Sequence, residues 1–140
     1  MNRDDDDFLS AFLQCSLPPA EFGHVGHLRL SWILLRRLSF DDAVERICDG
    51  ILRYATHLGA AGKFHRTITV ALLHVLRSRG AADPALDWLR FLASNRDLVD
   101  DAKAILLRHY SEDMLASGEA RSRFVAPDRE PLPGEPAIAG

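Results

Sequence analysis

The chain has 140 residues, 47% of them hydrophobic, enough to bury one real core and too few for two domains of ordinary size. Its formal charge of -3, with basic residues scattered among acidic ones, leaves no electrostatic footprint for a phosphate backbone and argues against nucleic acid as a partner. No apolar run approaches the ~20 residues of a bilayer span, even Leu72 to Leu76 being broken by His74.

Arg3 followed by Asp4 to Asp7 is the wrong opening for a secretory leader. Cys15 and Cys48 sit at apolar helical positions, where free cysteine packs as a small hydrophobe, so a reducing cytoplasm is the expected compartment and no disulfide framework is implied.

Asp4 to Asp7 precede Phe8, Leu9, Phe12, Leu13 and Cys15, which predicts a short amphipathic helix with acids at its positive end. Leu17-Pro18-Pro19 breaks the chain. A second helix runs to about Arg36, Arg37 and Leu38, with cations suited to its carboxyl end. Ser39 is a credible cap for a third, Phe40 to Leu58, with the stripe Phe40, Ala43, Val44, Ile47, Ile51, Leu52, Ala55 and Leu58 facing inward.

After the small-residue turn Gly59 to Gly62, a fourth helix covers Phe64 to Leu76. Asp83-Pro84 predicts the start of a fifth through Trp88, Leu89 and Leu92, and a sixth spans about Leu98 to Tyr110. Ser111 to Leu115 suggests one or two more capped turns. Pro127, Pro131, Pro133 and Pro136 then exclude regular helix.

The expected fold is all-α: a single compact bundle of five to seven helices over 1–133, closed by an extended proline-rich carboxyl-terminal strap, with 134–140 a frayed tail. Trp32, Leu35, Ile47, Ile51, Ile68, Leu72, Leu89 and Leu106 are its expected core.

The chemistry is sought in Phe22-Gly-His24-Val-Gly-His27-Leu28. Imidazoles three apart leave one helical face, and Gly23 and Gly26 beside them each cost about 1 kcal/mol against alanine inside a helix, which calls for close approach of another helix, close approach of a ligand, or a helix that begins only near Gly26 with His24 in the turn before it. His65 opens the next helical pattern, Lys63-Phe-His-Arg-Thr-Ile-Thr69.

Three imidazoles suit a divalent transition metal such as copper, iron or zinc with coordination positions left open. The spacing is not H-E-x-x-H. Glu21-Phe-Gly-His24 matches one half of a di-iron element, but no second copy exists. The plainer alternative gives one histidine to solvent and the other to a neighbouring carbonyl. Thr67 and Thr69, taken singly, are surface residues or bond back to their own helix. His57, His74 and His109 are structural, and Cys48 is core.

Phe22-x-His24-x-x-His27-Leu28, Gly62-Lys-Phe-His65-x-Thr67-x-Thr69, Tyr110-Ser111, Leu115-x-Ser117-x-x-Ala120-Arg121 and Pro127-Asp128-x-x-Pro131-Leu132-Pro133 together resemble a group of small, all-helical, mostly uncharacterised bacterial proteins. The resemblance covers Phe22 to Pro133. It implies that the polar residues of the carboxyl-terminal segment belong to the same pattern as the histidines.

The functional expectation is therefore a metal site on His24, His27 and His65 acting on a small-molecule substrate. Lys63 and Arg121 would hold an anionic group, and Thr67, Thr69 and Tyr110 would be outer donors. Two rivals use other physics: a metal-free acid-base or ligand-binding pocket built on the same histidines, and a non-catalytic interaction or regulatory module presenting Arg36 and Arg37. Sequence does not set the oligomeric state.

Overall fold

A computed structural model describes residues 4–133. Among them the backbone is all-helical, with no strand. The chain divides into two compact units, residues 1–64 and 65–140. The expected tail 134–140 lies outside the described residues.

In the first unit, α1 (Asp5–Leu13) starts where the Asp4 carboxylate accepts the Asp7 amide at 2.7 Å, the ordinary work of an aspartate cap. Its acids are then consumed: Asp5 pairs with Arg29 at 3.3 Å and Asp6 with Arg37 at 2.8 Å. Beyond the helix end at Leu13, Cys15, with a φ of 57°, turns the chain so that the amides of Ser16 and Leu17 both reach the Ala11 carbonyl, at 2.8 and 3.1 Å. Pro18-Pro19 then leads into a 3-10 turn, Pro19–Glu21.

Next come α2 (His24–Arg37) and α3 (Phe40–His57), the latter capped by Ser39 Oγ on the Asp42 amide at 3.2 Å. α3 buries Ala43, Ile47, Cys48, Ile51 and Tyr54, a stripe at helical spacing, whereas the Leu52 and Leu58 expected in it are more than 40% exposed. α2 buries an unbroken run from Leu30 to Leu35, so its sequence has no polar face there. The buried Ser31 hydroxyl is satisfied by donating to the His27 carbonyl at 2.9 Å. α1 packs against both α2 and α3.

The second unit holds α4 (Arg66–Ser78), α5 (Trp88–Ser94), α6 (Arg96–Asp100), α7 (Ala102–Leu106), α8 (Glu112–Ala116) and α9 (Gly118–Ser122). The helix expected over Leu98–Tyr110 is divided because Asp101 leaves helical geometry and caps a new turn, accepting the Ala104 amide at 3.2 Å. α5 begins later than expected. Asp83 caps only a turn, on the Ala85 amide at 2.9 Å, and Asp87 is the true cap, on Arg90 at 2.8 Å. That phase sends Phe91 inward and leaves Leu89, expected in the core, 75% exposed.

α4 packs on α7 and α9, around a core of Ala71, Leu106, Tyr110, Ala120, Val125 and Leu132, flanked by Ile68, Leu72 and Phe124. Val125 and Leu132 enter this core from chain outside the helices.

Candidate functional site

The first unit carries His24 and His27. Gly23 caps α2 with its backbone alone, and His24 is the first helical residue. The Gly23 carbonyl accepts twice from His27, from its amide at 3.0 Å and from Nδ1–H at 2.9 Å. A carbonyl can only accept, so Nδ1 bears the ring proton and Nε2 keeps its lone pair.

The ring stacks on Phe22 at 4.0 Å between centroids. Burial holds the His27 imidazole below its ordinary range; the bond to Gly23 opposes this, and the neighbouring His24 reinforces it. The outcome is a neutral imidazole with fixed tautomer and fixed plane. His24 itself is exposed.

Phe22 belongs to an aromatic cluster, 5.0 Å from Phe12 and 5.0 Å edge-on from Tyr54. Tyr54 is buried and donates its hydroxyl to the Leu17 carbonyl at 2.6 Å. Its phenol is pushed above the usual range, mainly by burial and also by Cys15 and Glu21.

Gly26 has a steric explanation close at hand: a Cβ there would lie 2.6 Å from the Glu21 carbonyl oxygen and 3.4 Å from the Phe22 ring. The neighbour is the preceding 3-10 turn, not a second long helix or a ligand, and α2 begins at His24 rather than near Gly26. At Gly23 a Cβ would meet nothing within 4 Å.

His65, in the second unit, caps α4. Its Nδ1 accepts the Ile68 amide at 3.1 Å, and its Nε2–H donates to the Leu115 carbonyl at 2.7 Å. Both ring nitrogens are in use, one as acceptor and one as donor, so a metal at His65 would first have to displace a hydrogen bond. Sequence reasoning, which saw a ligand, missed a cap, because histidine at this position carries a weaker signal than Ser, Thr, Asp or Asn.

The proposed outer donors have backbone partners too. Thr67 is fully buried; it donates to the Arg123 carbonyl at 2.9 Å and accepts the Val125 amide at 3.1 Å. Thr69 bonds back to the His65 carbonyl at 2.8 Å, as a helical threonine often does. The Tyr110 hydroxyl donates to the Val125 carbonyl at 2.7 Å. Lys63 and Arg121 are exposed.

The same segment gains contacts that no local pattern announces. Asp128 receives the Ser111 amide at 2.8 Å and its hydroxyl at 2.6 Å, while His109 Nδ1–H donates to the Glu130 carbonyl at 3.0 Å. Residues 65–69 and 109–111 therefore work as pins for the chain between Leu115 and Glu130.

Among the described residues, no three His, Cys, Asp or Glu side chains are grouped to hold a metal ion. Arg37 is paired with Asp6, and Arg36 lies over the Trp32 ring at 4.5 Å, so the basic end of α2 is engaged. Comparison with protein-family models, curated proteins and solved structures finds no match to this chain.

Proposed function

We propose that the working site is the amino-terminal end of α2, where His27 and His24 bind a divalent transition metal, with His27 the anchoring ligand. The observation that carries this reading is the Nδ1–H bond from His27 to the Gly23 carbonyl at 2.9 Å. Ligating imidazoles commonly spend their second nitrogen on a backbone carbonyl, which fixes the ring and raises the basicity of the other nitrogen. Burial that keeps the ring neutral acts in the same direction, because only the neutral form is a ligand. His24, three residues earlier, shares its helical face.

Two imidazoles leave positions for water and a small-molecule substrate, so the reading extends to a metal-dependent enzyme. It uses two of the three histidines named from sequence, because His65 is already committed to Ile68 and Leu115.

Titration of untagged protein with zinc and copper tests it. The expected result is one equivalent bound, lost in His27→Ala, weakened in His24→Ala by about tenfold or more, and retained in His65→Ala. Absence of binding by the wild type, or undiminished binding by His27→Ala, removes the reading. Loss in His65→Ala with the helical signal intact would restore the three-histidine set.

A second reading draws on the same oriented Nε2: a neutral imidazole that is a ready general base without metal. It leads if the titrations are blank.

A further inference from the structure

A separate feature of the first unit lies between α1 and α3, a half-open pocket of about 150 Å³ lined by Phe12, Leu13, Arg46, Asp49, Gly50 and Arg53. Arg46, Asp49, Gly50 and Arg53 follow one another at intervals of three, one and three along α3, so they share one face of the helix. Gly50 seats Phe12 at the base of the pocket: a Cβ there would lie 2.7 Å from the Phe12 ring, so only a residue without a side chain lets the ring come up to α3.

The arginines on the rim contrast with others of the same unit. Arg29 and Arg37 of the same unit are matched by Asp5 and Asp6. Among the described residues, neither Arg46 nor Arg53 has a hydrogen bond or ion pair, although Asp49 stands between them in sequence. Two guanidiniums and one carboxylate leave the rim a net positive charge beside an apolar floor. Guanidinium forks match oxyanions in geometry as well as charge, and a volume of this order accommodates a body the size of a benzene ring.

We propose that this pocket binds a small organic anion, a carboxylate or phosphate carried on a compact apolar body, with Arg46 and Arg53 on the oxyanion and Phe12 and Leu13 against the body. The proposal stands apart from the histidine site and does not depend on it. Asp49 opposes the anion and sets its affinity.

The test is a titration of the full chain, followed by amide chemical shifts, with 3-phenylpropionate, phenyl phosphate and phenethylammonium. Saturable shifts at Leu13 and Gly50 are expected with one or both anions and not with the cation, and which anion binds identifies the oxyanion class. Arg46→Gln with Arg53→Gln should weaken binding by about tenfold, and Asp49→Asn should tighten it. All three side chains are exposed, so these variants keep the fold, which an unchanged helical signal verifies. No saturable shift with either anion, shifts centred away from Leu13 and Gly50, preference for the cation, unchanged affinity in the double arginine variant, or weaker binding in Asp49→Asn would each overturn the proposal.

Discussion

At Gly26 a missing side chain is a packing requirement. A methyl group would enter the Glu21 carbonyl oxygen at 2.6 Å, and backbone at that distance yields only by moving the 3-10 turn. Gly26→Ala is expected to cost about 1–3 kcal/mol of stability by chemical denaturation. Gly23 is the opposite case. It has extended geometry, no side-chain cap and open space around it, so Gly23→Ser should be neutral or stabilise by a few tenths of a kcal/mol; a loss above about 1 kcal/mol would show that the cap is already optimal as glycine. His65 allows a finer experiment. His65→Ala removes both a cap and the donor to Leu115 and should cost about 1–3 kcal/mol, whereas His65→Asn restores the cap alone and should recover part of that. The two glycines and the histidine were conspicuous in the sequence, but their reasons were not, because a carbonyl in the preceding turn and another fifty residues downstream leave no trace in local composition.

At the scale of elements, α4 and the non-helical chain from Arg123 to Pro133 depend on one another. The Thr67 hydroxyl satisfies the Arg123 carbonyl and the Val125 amide at once, and Tyr110 serves the Val125 carbonyl. Chain outside a helix does not satisfy these backbone groups by itself, so the side chains of Thr67 and Tyr110 do so instead. Thr67→Val keeps the shape and deletes both bonds; it should cost about 1–3 kcal/mol, read as a lower melting temperature. Ending the chain at Ser122 removes Val125 and Leu132 from the core, each worth about 1.5–3 kcal/mol of burial. Relative to a chain ending at Pro133, the shorter form should melt markedly lower, and equal melting would mean that the segment contributes no packing. The phase of α3 was legible as far as Ile51 and failed beyond it, where Tyr54 faces inward and Leu52 and Leu58 face outward. Phase also failed in α5, where Asp83-Pro84 resembled a start but Asp87 supplied the cap, turning Leu89 outward.

For the whole molecule, acid stability follows from shifted groups in both units. Burial lowers the imidazole of His74, with Arg77 adding to this and a bond to the Pro133 backbone opposing it; burial also lowers His27. A group whose folded pKa is depressed contributes stability that is complete above its unfolded value, about 6.5 for histidine, and is lost as pH falls through the folded value. Asp128 is held below the usual carboxylate range by the Ser111 hydroxyl and amide, and Asp97 by the Arg79 guanidinium. Their contribution is complete above about pH 4 and declines below it. The melting temperature should therefore be level between about pH 7 and 9, fall on acidification below about 6.5, and fall again below about 4. Asp128→Asn should flatten the lower step. A melting temperature that rises between pH 6.5 and 5 would contradict the first assignment.

Sequence by itself determined the helical class of this protein, because apolar residues at helical spacing, aspartate and serine caps and proline breaks act within a few residues of one another. It likewise determined that Asp4 to Asp7 begin a helix and that Ile47, Ile51 and Trp32 are buried. Only the tertiary structure decided what the polar groups do: which nitrogen of His27 carries its proton, that His65, Thr67 and Tyr110 bond to distant backbone, and that Arg46 and Arg53 share a pocket with Phe12 and Gly50. The reason is one of range. Helix propensity and capping are local energies, whereas a side chain's chemistry is set by whatever backbone or ring the fold brings within about 3–4 Å of it.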